Sequence, residues 1–374
     1  MQVNADLHIH SCFSIATSPR MTPPALVEGC LRKGIDLLGS GDALHPVWRG
    51  MWEEVGEPEV LVIPTAEVEG KGRIHHLIIM EDFAGFAELA LMLRPYSKNL
   101  ESAGRPFVSL DGCCLASIVH DLGGLIGPAH AFTPWTGMYG RYNHAYECYG
   151  EEPFDFLELG LSADSGYGNA IPELYGIPFL SSSDAHSPSP RSLGREFTRL
   201  EVDGRTGREV LDSIRNGGIV MNAGLFPEQG KYNRTACTRC FVHYSPGEAA
   251  THCWTCPCCG GRIKKGVRDR ARELSIGVPS PRPAYCHIIP LIEIVCLAAG
   301  TRSPNSARCR SRYEVLIASL GPEIAILIDL PLEAIEDIDP VLSEAIGAFR
   351  QGEIAISPGG GGQYGSLTLP KKKA

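Results

Sequence analysis

The sequence predicts an α/β fold in which a parallel sheet closes into a barrel. Strand and helix patterns alternate about seven times within residues 1–224, and this alternation is typical of parallel sheets covered by helices. The polar residues that are able to bind metal ions follow the ends of apolar runs. A parallel barrel places its active site at that edge, the carboxyl ends of its strands.

The first strand carries two histidines on one face. Apolar and polar residues alternate from Val3 to Ile9, a pattern that predicts a strand with one buried face. His8 and His10 therefore project from the same side of this strand, about 7 Å apart. Two imidazoles so placed make half of a metal site.

The remaining elements of the barrel follow from apolar runs and their boundaries. Thr22 is a suitable N-cap for a helix with prolines in its first turn, and Gly34 ends that helix. After it we expect strands at 35–38, 60–63 and 74–80, helices at 83–93 and 110–122, strands at 125–126 and 154–159, a helix at 165–175, a strand at 179–180, a helix at 206–216 and a strand at 219–222.

Candidate metal ligands follow these strands. They are Asp42, His45, Glu67, His75, His76, His130, Asp184 and His186, in addition to His8 and His10. Imidazole and carboxylate ligands favour Zn²⁺, Mn²⁺ or Fe²⁺ over Ca²⁺. His75 and His76 are adjacent, so strand alternation allows only one of them to face the site, and the sequence leaves that choice open.

A cysteine cluster predicts a second, structural metal site. Cys237, Cys240, Cys256 and Cys259 form two Cys-x2-Cys pairs separated by fifteen residues, the spacing of a zinc ribbon. Cys253 with Cys256 is an alternative pair. We expect the fourteen cysteines of the chain to be free thiols or metal ligands of a cytoplasmic protein. No apolar run is long enough to cross a membrane, and no membrane partner is expected.

Charge is distributed unevenly along the chain. The formal net charge is −9, yet the stretch 231–272 contains nine basic and two acidic residues. A basic segment of this kind is able to bind a phosphate backbone. The candidate contacts to such a backbone are Lys231, Lys264, Lys265, Arg268 and Arg270; an ordinary solvated face is the alternative.

Three domains are expected from these patterns. A barrel would occupy residues 1–224, a basic four-cysteine domain 225–275, and a small C-terminal α/β module 276–374. The last segment contains apolar runs at 287–299 and 325–330, a helix near 339–350 and the glycine-rich stretch 358–365. That stretch is either a contact to nucleic-acid phosphates or a mobile tail.

The motifs together resemble the polymerase and histidinol phosphatase (PHP) superfamily and, within it, the endonuclease Q family. The resemblance covers nearly the whole chain. It is carried by Asp6-Leu7-His8-Ile9-His10-Ser11, Leu38-Gly39-Ser40-Gly41-Asp42, residues 128–140, residues 159–165, Ser183-Asp184-Ala185-His186-Ser187-Pro188, Gly230-Lys231-Tyr232, the cysteine cluster, Ile263-Lys264-Lys265-Gly266-Val267 and the glycine-rich stretch.

This resemblance implies a distorted (β/α)7 barrel, a four-cysteine zinc ribbon, and two or three divalent ions (Zn²⁺, Mn²⁺ or Mg²⁺) in the barrel. By the family layout, one ion is held by His8, His10, Glu67 and Asp184, which are also the expected catalytic residues. Glu67 would bridge to a second ion at His130 and one of His75 or His76. Asp42, His45 and His186 would hold a third, although Ala43 stands where many members of the superfamily have histidine.

The activity implied is that of a DNA repair endonuclease. Such an enzyme hydrolyses the phosphodiester on the 5′ side of a deaminated base (uracil, hypoxanthine or xanthine) or an abasic site, and leaves a 3′-hydroxyl and a 5′-phosphate. Its substrate would be double-stranded or single-stranded DNA, and the sequence leaves open whether a replication or repair factor is a partner. Trp135 and Tyr139 are candidates for stacking on a flipped base, with packing in the core as the alternative for each. The alternatives are a small-molecule phosphoesterase of the histidinol phosphatase type and a non-catalytic DNA-binding protein.

Overall fold

The computed structural model describes residues 1–301, 303–304 and 306–369. The strands are β1 (Gln2–Asp6), β2 (Leu37–Gly39), β3 (Leu61–Ile63), β4 (Thr65–Glu69), β5 (His75–Ile79), β6 (Leu125–Pro128), β7 (Leu157–Glu158), β8 (Phe179–Leu180), β9 (Phe197–Glu201), β10 (Ile219–Gly224), β11 (Ala236–Cys237), β12 (Ile263–Lys264), β13 (Ala284–His287), β14 (Ala355–Ser357) and β15 (Ser366–Thr368).

The α-helices are α1 (Pro23–Lys33), α2 (Pro46–Val55), α3 (Phe83–Leu93), α4 (Gly112–Asp121), α5 (Met138–Arg141), α6 (Tyr146–Tyr149), α7 (Ser165–Gly168), α8 (Gly207–Arg215), α9 (Pro246–Thr251), α10 (Val267–Leu274), α11 (Leu291–Ala298), α12 (Ala307–Leu320), α13 (Leu332–Glu336) and α14 (Pro340–Arg350). Short 3-10 turns lie at Lys71–Arg73, Arg94–Tyr96, Pro172–Leu174 and Pro227–Gln229. None of the described helices combines the length and the apolar character needed to span a membrane.

The barrel is built from three sheets that follow one another around a ring. A six-stranded sheet has the order β13-β10-β9-β1-β2-β3, a three-stranded sheet the order β4-β5-β6, and β7 pairs with β8. Individual hydrogen bonds join neighbouring sheets. The Asp155 amide, just before β7, donates to the Ile126 carbonyl oxygen of β6 at 2.8 Å. The Asn222 side chain of β10 donates to the Phe179 carbonyl oxygen of β8 at 2.9 Å. The predicted distorted barrel is confirmed.

The expectation of an all-parallel sheet is wrong. β1, β2 and β3 are parallel to one another, as are β7 with β8 and β10 with β13. In contrast, β9 runs antiparallel to both β1 and β10, and β5 runs antiparallel to both β4 and β6. Only residues 70–74 separate β4 from β5. A parallel crossover needs about a dozen residues or more, so this short link forms a hairpin instead.

Prolines explain two further departures from the expected elements. The helix expected at 165–175 ends at Gly168, and a 3-10 turn with Pro172 at its start follows it. The apolar run at 287–299 is divided into β13 and α11, with Pro290 between them. Proline fits a first helical turn and interrupts a helix interior.

The C-terminal segment is joined to the barrel by a common core. β13 extends the six-stranded sheet beside β10. Ile9, Leu38 and Trp48 of the barrel belong to the same buried apolar cluster as Val295 and Phe349. The cysteine-rich segment has a small core of its own, and β11 pairs with β12 there.

One buried acid makes stability depend on pH. Glu196 is fully buried; its Oε1 accepts a bond from the Leu225 amide at 3.0 Å, and its Oε2 has no partner among the described residues. Burial raises the pKa of Glu196 to about 8 from 4.5. The folded state therefore holds the proton more tightly than the unfolded state, and stability falls as pH rises from 4.5 to about 8.

We predict that Glu196→Gln removes this contribution. The variant should unfold at a higher temperature than the wild type at about pH 8.5, because the amide remains neutral, and at a similar temperature at about pH 5. Its stability advantage should grow by up to about 1.4 kcal/mol per pH unit between these limits. Thermal unfolding of both proteins at several pH values measures the difference. A difference in unfolding temperature that stays the same at every pH would contradict the raised pKa of Glu196.

Candidate metal centre and cleft

Three side chains of the site stand on strained backbone at strand ends. Asp42, His130 and Asp184 have φ values of 46°, 32° and 47°, in the left-handed region that residues other than glycine seldom adopt. Such conformations persist only where the surrounding structure fixes them. Each of these turns follows a barrel strand and directs its residue towards the mouth of the barrel.

The first metal-ligand group consists of His8, His10 and Asp184, whose ligand atoms all lie within 4.8 Å of one another. His10 Nε2 lies 3.1 Å from Asp184 Oδ1, and His8 Nε2 lies 3.9 Å from the same oxygen. Both Nε2 atoms are buried and lack a hydrogen-bond partner within the described residues. Because buried polar atoms normally have partners, this arrangement fits a metal ion.

The second group consists of Glu67, His75 and His130. Glu67 Oε1 lies 2.6 Å from His75 Nδ1 and 2.9 Å from His130 Nε2, while Oε2 lies 3.4 Å from His10 Nε2. One carboxylate thus stands between the two groups. Burial opposes its ionisation, yet the surrounding imidazoles hold the pKa of Glu67 well below its usual value.

Two carboxylates orient histidines of the first group. Both Glu158 oxygens lie 2.9 Å from His8 Nδ1, and Glu158 also accepts a bond from the His130 amide at 2.7 Å. Burial alone would lower the pKa of His8, but the carboxylates, Glu158 first and then Glu67 and Asp184, outweigh burial and raise that pKa to about 9. Asp42 Oδ1 lies 3.2 Å from His10 Nδ1. A carboxylate behind a histidine fixes the tautomer that leaves Nε2 free for a metal.

The expected third group is not assembled among the described residues. Asp42 faces His10 and accepts bonds from Ser11 and Ser14. His45 accepts a bond from the Trp48 amide at 3.4 Å and stacks on the Phe13 ring, with 4.0 Å between centroids. His186 lies beside the first group instead, where its Nδ1 is 3.0 Å from the Asp184 carbonyl oxygen.

The choice between the adjacent histidines is settled by the register of β5. His75 faces Glu67, whereas His76 projects from the opposite face and its Nδ1 lies 2.8 Å from the Tyr149 hydroxyl. Full burial lowers the pKa of His76 to about 3. His76 is therefore a neutral core residue.

Arg105 is a site residue that no sequence motif indicates. It lies between α3 and α4, and its Nη1 donates to Glu67 Oε2 at 2.9 Å. Its guanidinium group stands beside the shared carboxylate and lines the cleft above it. Glu158, at the end of β7, was also missed; its position at a strand end is the one local signal that points to it.

A cleft of about 1100 Å³ opens over both groups. Its lining includes His75, His130 and Asp184 of the metal-ligand groups. The basic side chains that line it are those of Arg105, Arg191, Arg195 and Lys231, and the aromatic ones are those of Trp135, Tyr232 and Tyr364. The carboxylates of Glu158, Asp184 and Glu293 also line it, and Arg191 pairs with Glu293 at 2.9 Å. Its size and its basic side chains suit a nucleotide with its flanking phosphates.

Of the two candidate base-stacking residues, only Trp135 is accessible. Its side chain is 49% exposed and lines the cleft. Lys264 Nζ lies 3.4 Å from the Trp135 ring centroid. The expectation for Tyr139 is wrong, because the residue is fully buried, packs on Phe132 and donates its hydroxyl to Glu173 at 2.7 Å.

The predicted DNA contacts have different surroundings. Lys265 pairs with Glu273 at 2.7 Å, and Arg268 pairs with Asp269 at 2.9 Å. Arg270 donates to the backbone oxygens of Tyr139 and Tyr142 and so ties α10 to the barrel. Lys264 covers the Trp135 ring. Within this set only Lys231 lines the cleft.

The four predicted cysteines form one cluster. The sulfur atoms of Cys237 and Cys259 are 3.5 Å apart, as are those of Cys240 and Cys256. The Tyr244 hydroxyl lies 3.0 Å from the Cys256 sulfur and lowers the pKa of that thiol to about 6. A thiol that ionises readily suits a metal ligand. Cys253 and Cys258 are exposed and lie outside the cluster, so the alternative pair is not used.

Two family models match parts of the chain. Residues 171–219 match a model described as PHP-associated, and residues 290–353 match the MJ0043 C-terminal domain. The uncharacterized protein MJ0043 of Methanocaldococcus jannaschii is 43% identical over 252 residues, which are 65% of this chain and 32% of that protein. The match therefore spans about a third of that relative's length.

Two crystal structures are similar over the whole chain. One is of the lesion-specific endonuclease PfuEndoQ from Pyrococcus furiosus, with a TM-score of 0.96, 43% identity, and coverage of 100% of this chain and 97% of the other. The second is of endonuclease Q in complex with a 27-mer duplex substrate that has an abasic lesion at the active site. Its TM-score is 0.94 and its identity 43%, and the match covers 100% of this chain and 98% of the other.

We predict that the two adjacent histidines respond differently to substitution. His75→Ala should lower the divalent metal content of the purified protein by about one equivalent per chain, because it removes one of three ligands. His76→Ala should keep the metal content and lower the free energy of unfolding by roughly 1–3 kcal/mol, because it leaves the buried Tyr149 hydroxyl without its partner. Elemental analysis and denaturant titration measure the two effects. A loss of metal on His76→Ala alone would contradict the site.

Proposed function

The chain belongs to the endonuclease Q family, and we propose that it is a DNA repair endonuclease. It hydrolyses the phosphodiester on the 5′ side of a deaminated base (uracil, hypoxanthine or xanthine) or an abasic site, and leaves a 3′-hydroxyl and a 5′-phosphate. The observation that carries the proposal is the pair of metal-ligand groups that share Glu67 beneath a large cleft whose lining includes four basic side chains.

Two divalent ions, Zn²⁺, Mn²⁺ or Mg²⁺, are proposed for the barrel. His8, His10 and Asp184 would hold one, and His75 and His130 the other, with Glu67 shared between them. Such ions polarise a phosphodiester and lower the pKa of an attacking water. We propose two ions and no third, because Asp42 and His45 are engaged with His10 and with Phe13 and Trp48.

The protein's own side chains prepare this site. Glu158 and Asp42 keep His8 and His10 in the tautomer whose Nε2 faces the centre. Arg105 places a fixed positive charge beside the shared carboxylate, where phosphate oxygens would lie. Arg195, which has no carboxylate partner among the described residues, and Lys231 would bind backbone phosphates along the cleft.

The cysteine cluster is proposed as a structural Zn²⁺ site that stabilises the segment around it. We divide the chain into a barrel at 1–224, a zinc-binding domain at 225–275 and a C-terminal module at 276–374. A cytoplasmic location suits both the DNA substrate and the fourteen cysteines, all of which are free in the structure.

A nicking assay tests the proposal. The substrate is a duplex with a single uracil, labelled on the lesion strand and incubated with Mn²⁺, Mg²⁺ or Zn²⁺. The wild type should produce one nick on the 5′ side of the uracil. Asp184→Ala should reduce the rate by roughly a thousandfold or more, because it removes a ligand on which the chemistry depends, and should still bind the duplex through the cations of the cleft.

Asp203→Ala is the matched control. Asp203 is an exposed carboxylate outside the cleft, so this variant should nick at the wild-type rate. Release of phosphate from a small monoester without nicking would favour a small-molecule phosphoesterase. Tight DNA binding without cleavage of any lesion (uracil, hypoxanthine, xanthine or abasic site) would favour a binding protein. Either result would contradict the proposal.

A further inference from the structure

The glycine-rich stretch 358–365, here called the glycine loop, is anchored to the rest of the protein. Three of its amides donate hydrogen bonds to backbone carbonyl oxygens: Gly359 to Glu228 at 2.8 Å, Gly362 to Lys231 at 2.9 Å and Gly365 to Gln229 at 3.1 Å. In return, the Gly359 carbonyl oxygen accepts a hydrogen bond from the Arg234 amide at 3.0 Å. The loop is therefore held along its length against residues 228–234, and the mobile-tail alternative does not describe it.

Glycine is needed at two of these positions. Gly361 adopts φ of 65°, in the left-handed region. A Cβ atom on Gly359 would lie 2.6 Å from the Gly230 carbonyl oxygen, which is closer than any side chain tolerates. Close approach of the two backbones makes the glycine loop a rigid support.

This support presents one aromatic side chain at the rim of the cleft. Tyr364 is 71% exposed, yet it lines the same cleft as His130 and Asp184. Lys231 Nζ lies 5.8 Å from the centroid of the Tyr364 ring. An exposed aromatic ring beside a cation, on a backbone held by hydrogen bonds to residues 228–234, is suited to stack on a nucleobase while the cation binds a phosphate.

Trp135 has a different position, which separates the roles of the two rings. Lys264 already covers Trp135 at 3.4 Å, and this contact joins the cysteine-rich segment to the wall of the cleft. Tyr364 stands at the rim, where the rest of the duplex would remain.

We propose that Tyr364 inserts into the base stack of the duplex, in the gap that is left when the lesion nucleotide turns into the cleft. The inference rests on the proposed function and identifies a contact to substrate that it requires. Turning a nucleotide out of a duplex costs stacking and pairing energy. The Tyr364 ring replaces part of the lost stacking, and Lys231 binds a neighbouring phosphate.

The test compares single-stranded and duplex DNA of the same sequence, each with one uracil. A single strand has no stack to preserve, so only the duplex needs Tyr364. We expect Tyr364→Ala to lower kcat/KM on the duplex by roughly 5- to 100-fold, the range that corresponds to one base–aromatic stack, and to leave kcat/KM on the single strand unchanged. Tyr364→Phe keeps the ring and should retain wild-type activity on both.

Tyr146→Ala is the control for loss of an exposed tyrosine. Tyr146 is 64% exposed and lies outside the cleft, so its removal should change neither rate. Suppose that the wild type nicks both substrates. If Tyr364→Ala then lowers kcat/KM equally on both substrates, or lowers it on neither, the proposed role of Tyr364 is wrong while the proposed function stands. If the wild type nicks neither substrate, the proposed function is wrong and the assignment of Tyr364 falls with it.

Discussion

The site depends on one buried carboxylate. Glu67 is almost completely buried, and such a charge is costly to fold around unless opposite charges or metal ions surround it. The β4–β5 hairpin brings His75 to it, the end of β6 brings His130, and the loop before α4 brings Arg105. The second oxygen of Glu67 faces His10. The Glu67 carboxylate therefore contacts both metal-ligand groups and sets the distance between them.

The cleft above Glu67 requires all three segments of the chain. The barrel provides the floor, the cysteine-rich segment reaches Trp135 through Lys264, and the glycine loop places Tyr364 at the rim beside Lys231. β13 and the helices after it share a buried core with the barrel. The chain is therefore built so that the surroundings of a substrate come from parts that are distant in sequence, held together by one core and one short hydrogen-bonded loop.

The sequence was informative where chemistry is carried by local pattern. Histidines on alternate residues directly after β1, ligands at strand ends and two Cys-x2-Cys pairs were enough to predict the barrel mouth and the cysteine cluster. Glu158 lies 150 residues from the His8 that it orients, and Arg105 lies 38 residues from Glu67. Arg105 has no local signal, and the position of Glu158 at the end of a strand is the only one that points to it. Burial of Tyr139 likewise depends on tertiary packing, which composition does not reveal.

The central claim is that two barrel ions share Glu67. Anomalous diffraction from crystals grown with Mn²⁺, with a second data set at the zinc edge, tests it directly. We predict two barrel peaks roughly 3.5–4 Å apart, one among His8, His10 and Asp184 and the other among Glu67, His75 and His130, with a zinc peak among the four clustered cysteines. A barrel peak bound by Asp42 and His45, or an occupied cysteine site with an empty barrel, would contradict the account.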